Sequence, residues 1–162
     1  MIRPRLWRSI LVATVVLAGC GGSLLSPADL TASLPDELNG RPTKKETYVG
    51  EATAQAPNGP ELYREAADRM GVEVIDMTIA QAWVEGLGVV AIRFGGADPA
   101  AIGPTFLDVL SKPDDVPSFR LADKNVQRIP ETDVYLYTRG EVMYLVFALD
   151  DANAAEILAL LP

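Results

Sequence analysis

The sequence predicts an α+β fold, in which an antiparallel sheet carries about three helices packed mainly on one face. Short segments rich in β-branched and aromatic residues alternate with glycine turns, which is typical of antiparallel strands. Apolar segments that begin with Pro or Asp lie between them and are typical of helices. The chain has 162 residues, 49% hydrophobic and 22% charged, which is enough for one domain with its own core.

Three segments carry the signals that start and end helices. Residues 60–70 begin with a proline and are followed by a glycine, residues 98–111 begin with an Asp-Pro pair, and residues 152–161 follow two aspartates. Asp at the N-cap and Pro at the first position both favour a helix start. Pro104 predicts either a kink or a regular helix that begins there.

Strands are predicted where β-branched and aromatic residues cluster between turns, and the segments are 44–51 (as an edge strand), 72–85, 89–94, 118–122, 125–129, 133–138 and 141–148. The glycines of Gly86-Leu87-Gly88 match the start of the G-x-G-x-x-A dinucleotide fingerprint. That fingerprint needs a helix after its glycines, whereas β-branched residues follow here, so we expect a hairpin turn.

An offset of 52 residues aligns the two predicted hairpins with each other. Gly88 then meets Gly140, Val90 meets Val142 and Asp98 meets Asp150. The match predicts two ββα repeats in one sheet, with their helices on one side. The alternative is that ββα is a common local arrangement and the match is chance.

The second predicted hairpin is apolar on both faces. With a two-residue turn at Arg139-Gly140, Thr138 opposes Glu141 and Leu136 opposes Met143. One face then carries Val134, Leu136, Met143, Leu145 and Phe147, and the other carries Tyr135, Tyr137, Val142, Tyr144 and Val146. The repeat would place Trp83, Val90, Ile92 and Phe94 on the tyrosine face.

If helices cover only one face of the sheet, the tyrosine face remains open. We therefore predict a binding face at Tyr135, Tyr137 and Tyr144, because tyrosine combines apolar area with a polar tip. Its occupant would be an unknown protein or a small apolar ligand. The alternative is that these tyrosines belong to the core.

The N-terminus combines a basic segment, an apolar segment and the single cysteine of the chain. Residues 1–8 hold three arginines and no acid, and residues 9–19 form an apolar run too short to span a bilayer. The run ends in Leu17-Ala18-Gly19-Cys20, which resembles the lipobox of bacterial lipoprotein signal peptides. The resemblance implies cleavage before Cys20, lipidation of Cys20, and attachment to the extracytoplasmic side of the cell membrane, or of the outer membrane if the host has one.

This reading divides the chain into a signal peptide (1–19), a lipidated N-terminus with a flexible tether (20–45), and a single α+β domain (46–162). Cleavage removes three arginines and no acid, so the net charge changes from −8 to −11. An acidic body of this kind argues against nucleic acid as a partner, because a phosphate backbone requires a basic surface.

The composition argues against the common catalytic and metal sites. The chain has no histidine and a single cysteine, which removes the most frequent general base and metal ligand. We therefore expect a non-enzymatic binding or accessory lipoprotein without a cofactor. Two alternatives remain: an envelope hydrolase that uses carboxylates at Asp114-Asp115 or Asp150-Asp151, and a structural protein that forms homo-oligomers.

Overall fold

A computed structural model describes residues 26–57, 59–111 and 116–162. The strands in these residues are β1 (Glu37–Leu38), β2 (Arg41–Pro42), β3 (Lys44–Val49), β4 (Met77–Val84), β5 (Leu87–Phe94), β6 (Ser118–Leu121), β7 (Lys124–Arg128), β8 (Val134–Arg139) and β9 (Val142–Phe147). β1 and β2 form a small ribbon. The other seven form one antiparallel sheet in the order β3-β4-β5-β9-β8-β7-β6.

The helices are α1 (Pro27–Ala32), α2 (Pro60–Arg69), α3 (Pro99–Val109) and α4 (Asp151–Leu160), with 3-10 turns at Gly50–Gln55 and Val74–Asp76. The last three α-helices confirm the predicted ones. Asp98 caps α3 by accepting from the Ala100 amide at 3.0 Å, and Asp150 caps α4 by accepting from Asn153 at 2.8 Å. Pro104 lies inside α3, which begins at Pro99, so the alternative in which the helix begins at Pro104 is wrong.

Helices cover both faces of the sheet, and each face has its own core. On one face, which we call the α2/α3 face, Tyr63 and Phe106 pack with Ile79, Ile92 and Met143. On the opposite α1/α4 face, the strands pack against Leu30 of α1 and against Ala154, Ile157 and Leu158 of α4. The α+β class is confirmed, but the helices do not gather on one face. Because the central strands are apolar on both sides, both sides need a cover.

The segment predicted as a tether is folded from Ser26 onward. Leu30, Leu34 and Leu38 are buried against the sheet, although the Pro- and Ser-containing composition predicted a flexible linker over 20–45. The three leucines recur every four residues, and that spacing is the apolar signal that composition concealed. Residues 20–25 lie outside the described part of the chain.

The second hairpin turns one residue later than predicted. Arg139 pairs with Val142 and Thr138 with Met143, so the turn residues are Gly140 and Glu141. Gly140 has φ +56°, a conformation that favours glycine. The predicted pairing is wrong by two residues, and an even shift keeps every side chain on its face. The assignment of residues to the two faces is therefore confirmed.

The 52-residue offset does not correspond to a structural repeat. β4-β5-α3 and β8-β9-α4 have the same order of elements, yet α3 and α4 lie on opposite faces. Val90 points to the α2/α3 face whereas its counterpart Val142 points to the α1/α4 face. Trp83, Ile92 and Phe94 are accordingly on the face opposite the tyrosines.

Candidate functional site

The predicted tyrosine face is not an open surface. Tyr135 and Tyr144 are 0% and 1% exposed, and Tyr137 is half-buried. α1 and α4 cover this face, so the prediction of an open binding face at Tyr135, Tyr137 and Tyr144 is wrong. These side chains belong to the core, which was the alternative.

The tyrosines attach the C-terminal helix to the sheet. The Tyr135 hydroxyl donates to Asp151 at the start of α4, and the Arg128 guanidinium lies 5.7 Å from the Tyr135 ring centroid. Burial, followed by this hydrogen bond, raises the pKa of Tyr135 to about 12. Tyr137 stacks on Tyr144 with ring centroids 5.6 Å apart, and its hydroxyl donates to the Pro162 carbonyl at 3.1 Å.

The candidate carboxylates have structural partners where they are described. Asp150 caps α4, and Asp151 accepts from Tyr135 and lies 3.8 Å from Arg128. Asp114 and Asp115 lie outside the described residues. Within those residues, no group of three or more acidic, His or Cys side chains is placed to hold a metal ion.

A half-buried aromatic surface lies on the α2/α3 face, at the edge of that core. Register places Lys44, Trp83, Gly88, Phe147 and Val134 side by side across five adjacent strands. Trp83, Phe147 and Val134 pack against the core and keep part of their surface open. We call Trp83, Gly88, Phe147 and Val134 the aromatic platform.

Gly88 determines the height of the Trp83 ring above the sheet. A Cβ on Gly88 would lie 2.1 Å from Trp83 Cε3, so the ring rests directly on the glycine backbone. The ring also packs on Phe147, with centroids 4.9 Å apart and a 48° angle between the planes. An aromatic residue that covers a glycine on the neighbouring strand stabilises the sheet, and it also fixes the ring in place.

A carboxylate held by three donors lies beside the platform. Glu46 accepts from Tyr48 at 2.9 Å and from the buried Gln81 amide at 2.9 Å, and its other oxygen is 2.6 Å from Lys44 Nζ. These hydrogen bonds, led by the one from Lys44, lower the pKa of Glu46. The Gln81 oxygen in turn accepts from Trp83 Nε1 at 3.2 Å. The network therefore connects the carboxylate to the indole ring.

A separate open depression of about 230 Å³ is lined by residues 128–133, which precede Val134 in the chain. Arg128 organises this loop by donating to Asp133 at 2.6 Å and to the Thr132 carbonyl at 3.1 Å. The loop includes Glu131, which has φ +65°. The depression is thus lined mainly by polar and charged residues of one loop.

The sequence did not indicate this site, because the predicted position of the turn between β4 and β5 was wrong. The hairpin between β4 and β5 turns at Glu85 and Gly86, where Gly86 has φ +78°, and Gly88 is already a strand residue opposite Trp83. The expected turn over Gly86-Leu87-Gly88 hid that pairing. The expectation that this segment forms a hairpin and not a dinucleotide-binding helix agrees with the structure, in which the strand β5 begins at Leu87.

Comparison with protein-family models, curated proteins and solved structures finds no match for this chain. In the described residues, none of the helices has the length and apolarity needed to cross a bilayer.

Proposed function

We propose that this chain is a lipid-anchored extracytoplasmic lipoprotein that acts as a non-enzymatic binding module through the aromatic platform. The observation that carries the binding role is the half-buried Trp83 ring, which rests on Gly88. Its Nε1 donates to Gln81, which in turn donates to Glu46. Aromatic surface beside a few fixed polar groups is the usual composition of a small-ligand site. The anchor rests on the lipobox-like residues that end at Cys20.

The chemistry of the platform favours an uncharged ligand with one apolar face and a polar edge. The Trp83 and Phe147 rings offer apolar area, while Lys44 and the ionised Glu46 lie at one side. A net charge of −11 after cleavage disfavours anionic ligands. A saccharide ring has this combination of a C–H face and hydroxyl groups, so saccharides are the ligand class that we propose.

Fluorescence of Trp83 tests the binding role directly. The chain has two tryptophans, Trp7 and Trp83, so a Trp7→Phe background leaves Trp83 as the sole reporter. We expect neutral chitooligosaccharides to change its emission in a saturable manner. Phe147→Ala should weaken the saturable change, whereas Tyr137→Phe on the opposite face should not. A wild-type protein without a saturable response contradicts the binding proposal.

Intact-protein mass spectrometry tests the anchor separately. The protein from a lipoprotein-processing bacterium should lack residues 1–19 and carry the mass of acyl chains, and Cys20→Ser should lose both changes. More than one chain is needed for stable attachment, since each buried CH₂ contributes about 0.8 kcal/mol. A mature Cys20 without added mass contradicts the anchor and leaves the platform test unaffected.

A further inference from the structure

The N-terminus of α1 and two exposed apolar side chains lie at the same end of the sheet. Thr31 Oγ1 is 2.5 Å from Thr47 Oγ1, and Lys45 Nζ donates to the Leu34 carbonyl at 2.7 Å. α1 therefore runs antiparallel to β3, and its first residues point toward the Val49 end of that strand. We call this the Val49 end of the sheet.

Ile75 is part of the same end. Val49 pairs with Thr78 at the start of β4, and Ile75 precedes that strand in a 3-10 turn. A Cβ on Gly50 would be 3.3 Å from Ile75 Cδ1, so the Ile75 side chain lies over the residue that follows Val49. Ile75 is 67% exposed and Val49 is 45% exposed. Among the described residues, five large apolar side chains are exposed, and these two are neighbours.

The aromatic platform lies at the opposite end of the same strands. β3 runs from Lys44, beside Trp83, to Val49, beside Thr78. β4 has eight residues, so the two ends are about 25 Å apart at the usual rise of a strand. The chain therefore enters the domain at one end of the sheet, and the platform is at the other.

We infer that the Val49 end, with Val49 and Ile75, rests on the membrane into which Cys20 is anchored, so that the platform faces away from the bilayer. The inference rests on the proposed lipidation. Five residues separate Cys20 from Ser26, and a chain of that length spans at most about 20 Å. A domain of about 137 residues is about 35 Å across. The connection is thus too short for the platform end to reach the bilayer.

The contact would be apolar and weak by itself. Glu51, Glu73 and Asp76 lie near Val49 and Ile75 in the chain, and the nearby Arg64 guanidinium is paired with Glu51 at 3.5 Å, so these groups offer anionic headgroups no net attraction. Two side chains do not hold a domain on a membrane, but the acyl anchor makes the contact intramolecular and raises its effective concentration. The same contact is therefore expected on vesicles of neutral phosphatidylcholine.

Depth-dependent quenching tests this orientation in the lipidated protein. Acylation blocks Cys20, so Ile75→Cys and Leu149→Cys each introduce a single free thiol for a bimane label. Leu149 is the matched control, because it is 65% exposed and follows β9 at the platform end. Circular dichroism confirms that both variants fold, and intact mass confirms acylation before reconstitution with nitroxide-labelled phosphatidylcholine.

We expect stronger quenching and a blue-shifted emission for the label at position 75 than for the label at 149, with no loss in high salt because the contact is apolar. Equal quenching at both positions, or stronger quenching at 149, in a protein that is acylated overturns the orientation alone. Protein without acyl mass overturns the anchor and, with it, this inference. Quenching at 75 that disappears in high salt overturns the apolar contact.

Discussion

Gly88→Ala is expected to destabilise the domain and to release the Trp83 ring. The new Cβ would be 2.1 Å from Trp83 Cε3, and an unstrained carbon–carbon contact needs at least about 3.5 Å, so the ring must move by about 1.4 Å. That movement breaks its packing on Phe147. Overpacking of this kind costs about 1–3 kcal/mol of unfolding free energy.

Urea unfolding of the Trp7→Phe chain, followed by circular dichroism, measures this cost, and Trp83 emission reports the position of the ring. We expect a lower midpoint and an emission maximum at longer wavelength. Gly103→Ala in α3 is the control, because the nearest atoms to its Cβ would be 3.6 Å away. It should stabilise by about 0.4–1 kcal/mol, since alanine restricts the unfolded chain and favours helix.

A Gly88→Ala protein with unchanged midpoint and unchanged emission would refute the packing argument. The same holds if Gly103→Ala were equally destabilising, because the effect would then be a general consequence of replacing glycine. The double variant Gly88→Ala with Trp83→Leu provides a further check. If the alanine Cβ and the indole ring clash, Gly88→Ala should destabilise the Trp83→Leu protein much less than it destabilises the protein with Trp83.

Three further predictions concern stability. Leu30→Ala should lower the unfolding free energy by about 2–5 kcal/mol, because Leu30 is fully buried. Leu160→Ala, at an exposed position, should change it by less than about 0.5 kcal/mol. Urea titration measures both, and equal effects would contradict a folded N-terminal segment. Burial raises the pKa of Tyr63 and Tyr135 from 10.0 to about 12. Their contribution to the unfolding free energy is therefore complete below pH 10 and is lost as the pH rises to 12. Tyr63→Phe should make Tm decline less steeply between pH 10 and 12. An unchanged slope of Tm against pH would contradict the raised pKa of Tyr63. Hydrogen bonds lower the pKa of Glu46 from 4.5, so its contribution to the unfolding free energy is present above pH 4.5 and is lost as the pH falls below it. Glu46→Gln should therefore weaken the acid dependence of Tm, and an unchanged acid dependence would contradict the role of these hydrogen bonds.

The regular elements were predictable because their signals are local. Asp98 and Asp150 are caps, Pro60 begins a helix, and the strands around Gly140 are rich in β-branched and aromatic residues. The faces of the second hairpin also followed from alternation alone. Each of these inferences needs only residues that are close in the sequence.

The placement of helices and the candidate site were not predictable in this way. Whether α4 covers the tyrosines or the opposite side depends on the handedness of the β9–α4 connection, which no local pattern specifies. The platform depends on pairing between Lys44, Trp83, Gly88 and Phe147, which belong to four strands. A turn misplaced by a residue or two was enough to separate Trp83 from Gly88.

The sharing of one core by α1 and α4 has a consequence for the order of folding. The first and the last helix of the described chain meet on the same face, with Leu30 and Leu158 in one apolar cluster. Contacts between such distant residues form late, after the intervening chain has been synthesised. The α2/α3 side is complete by β9, but the residues that pack against α4, such as Tyr135, stay uncovered until α4 (Asp151–Leu160) has been synthesised. A nascent chain without α4 would expose the apolar residues of this face, so α4 is the element that completes this core.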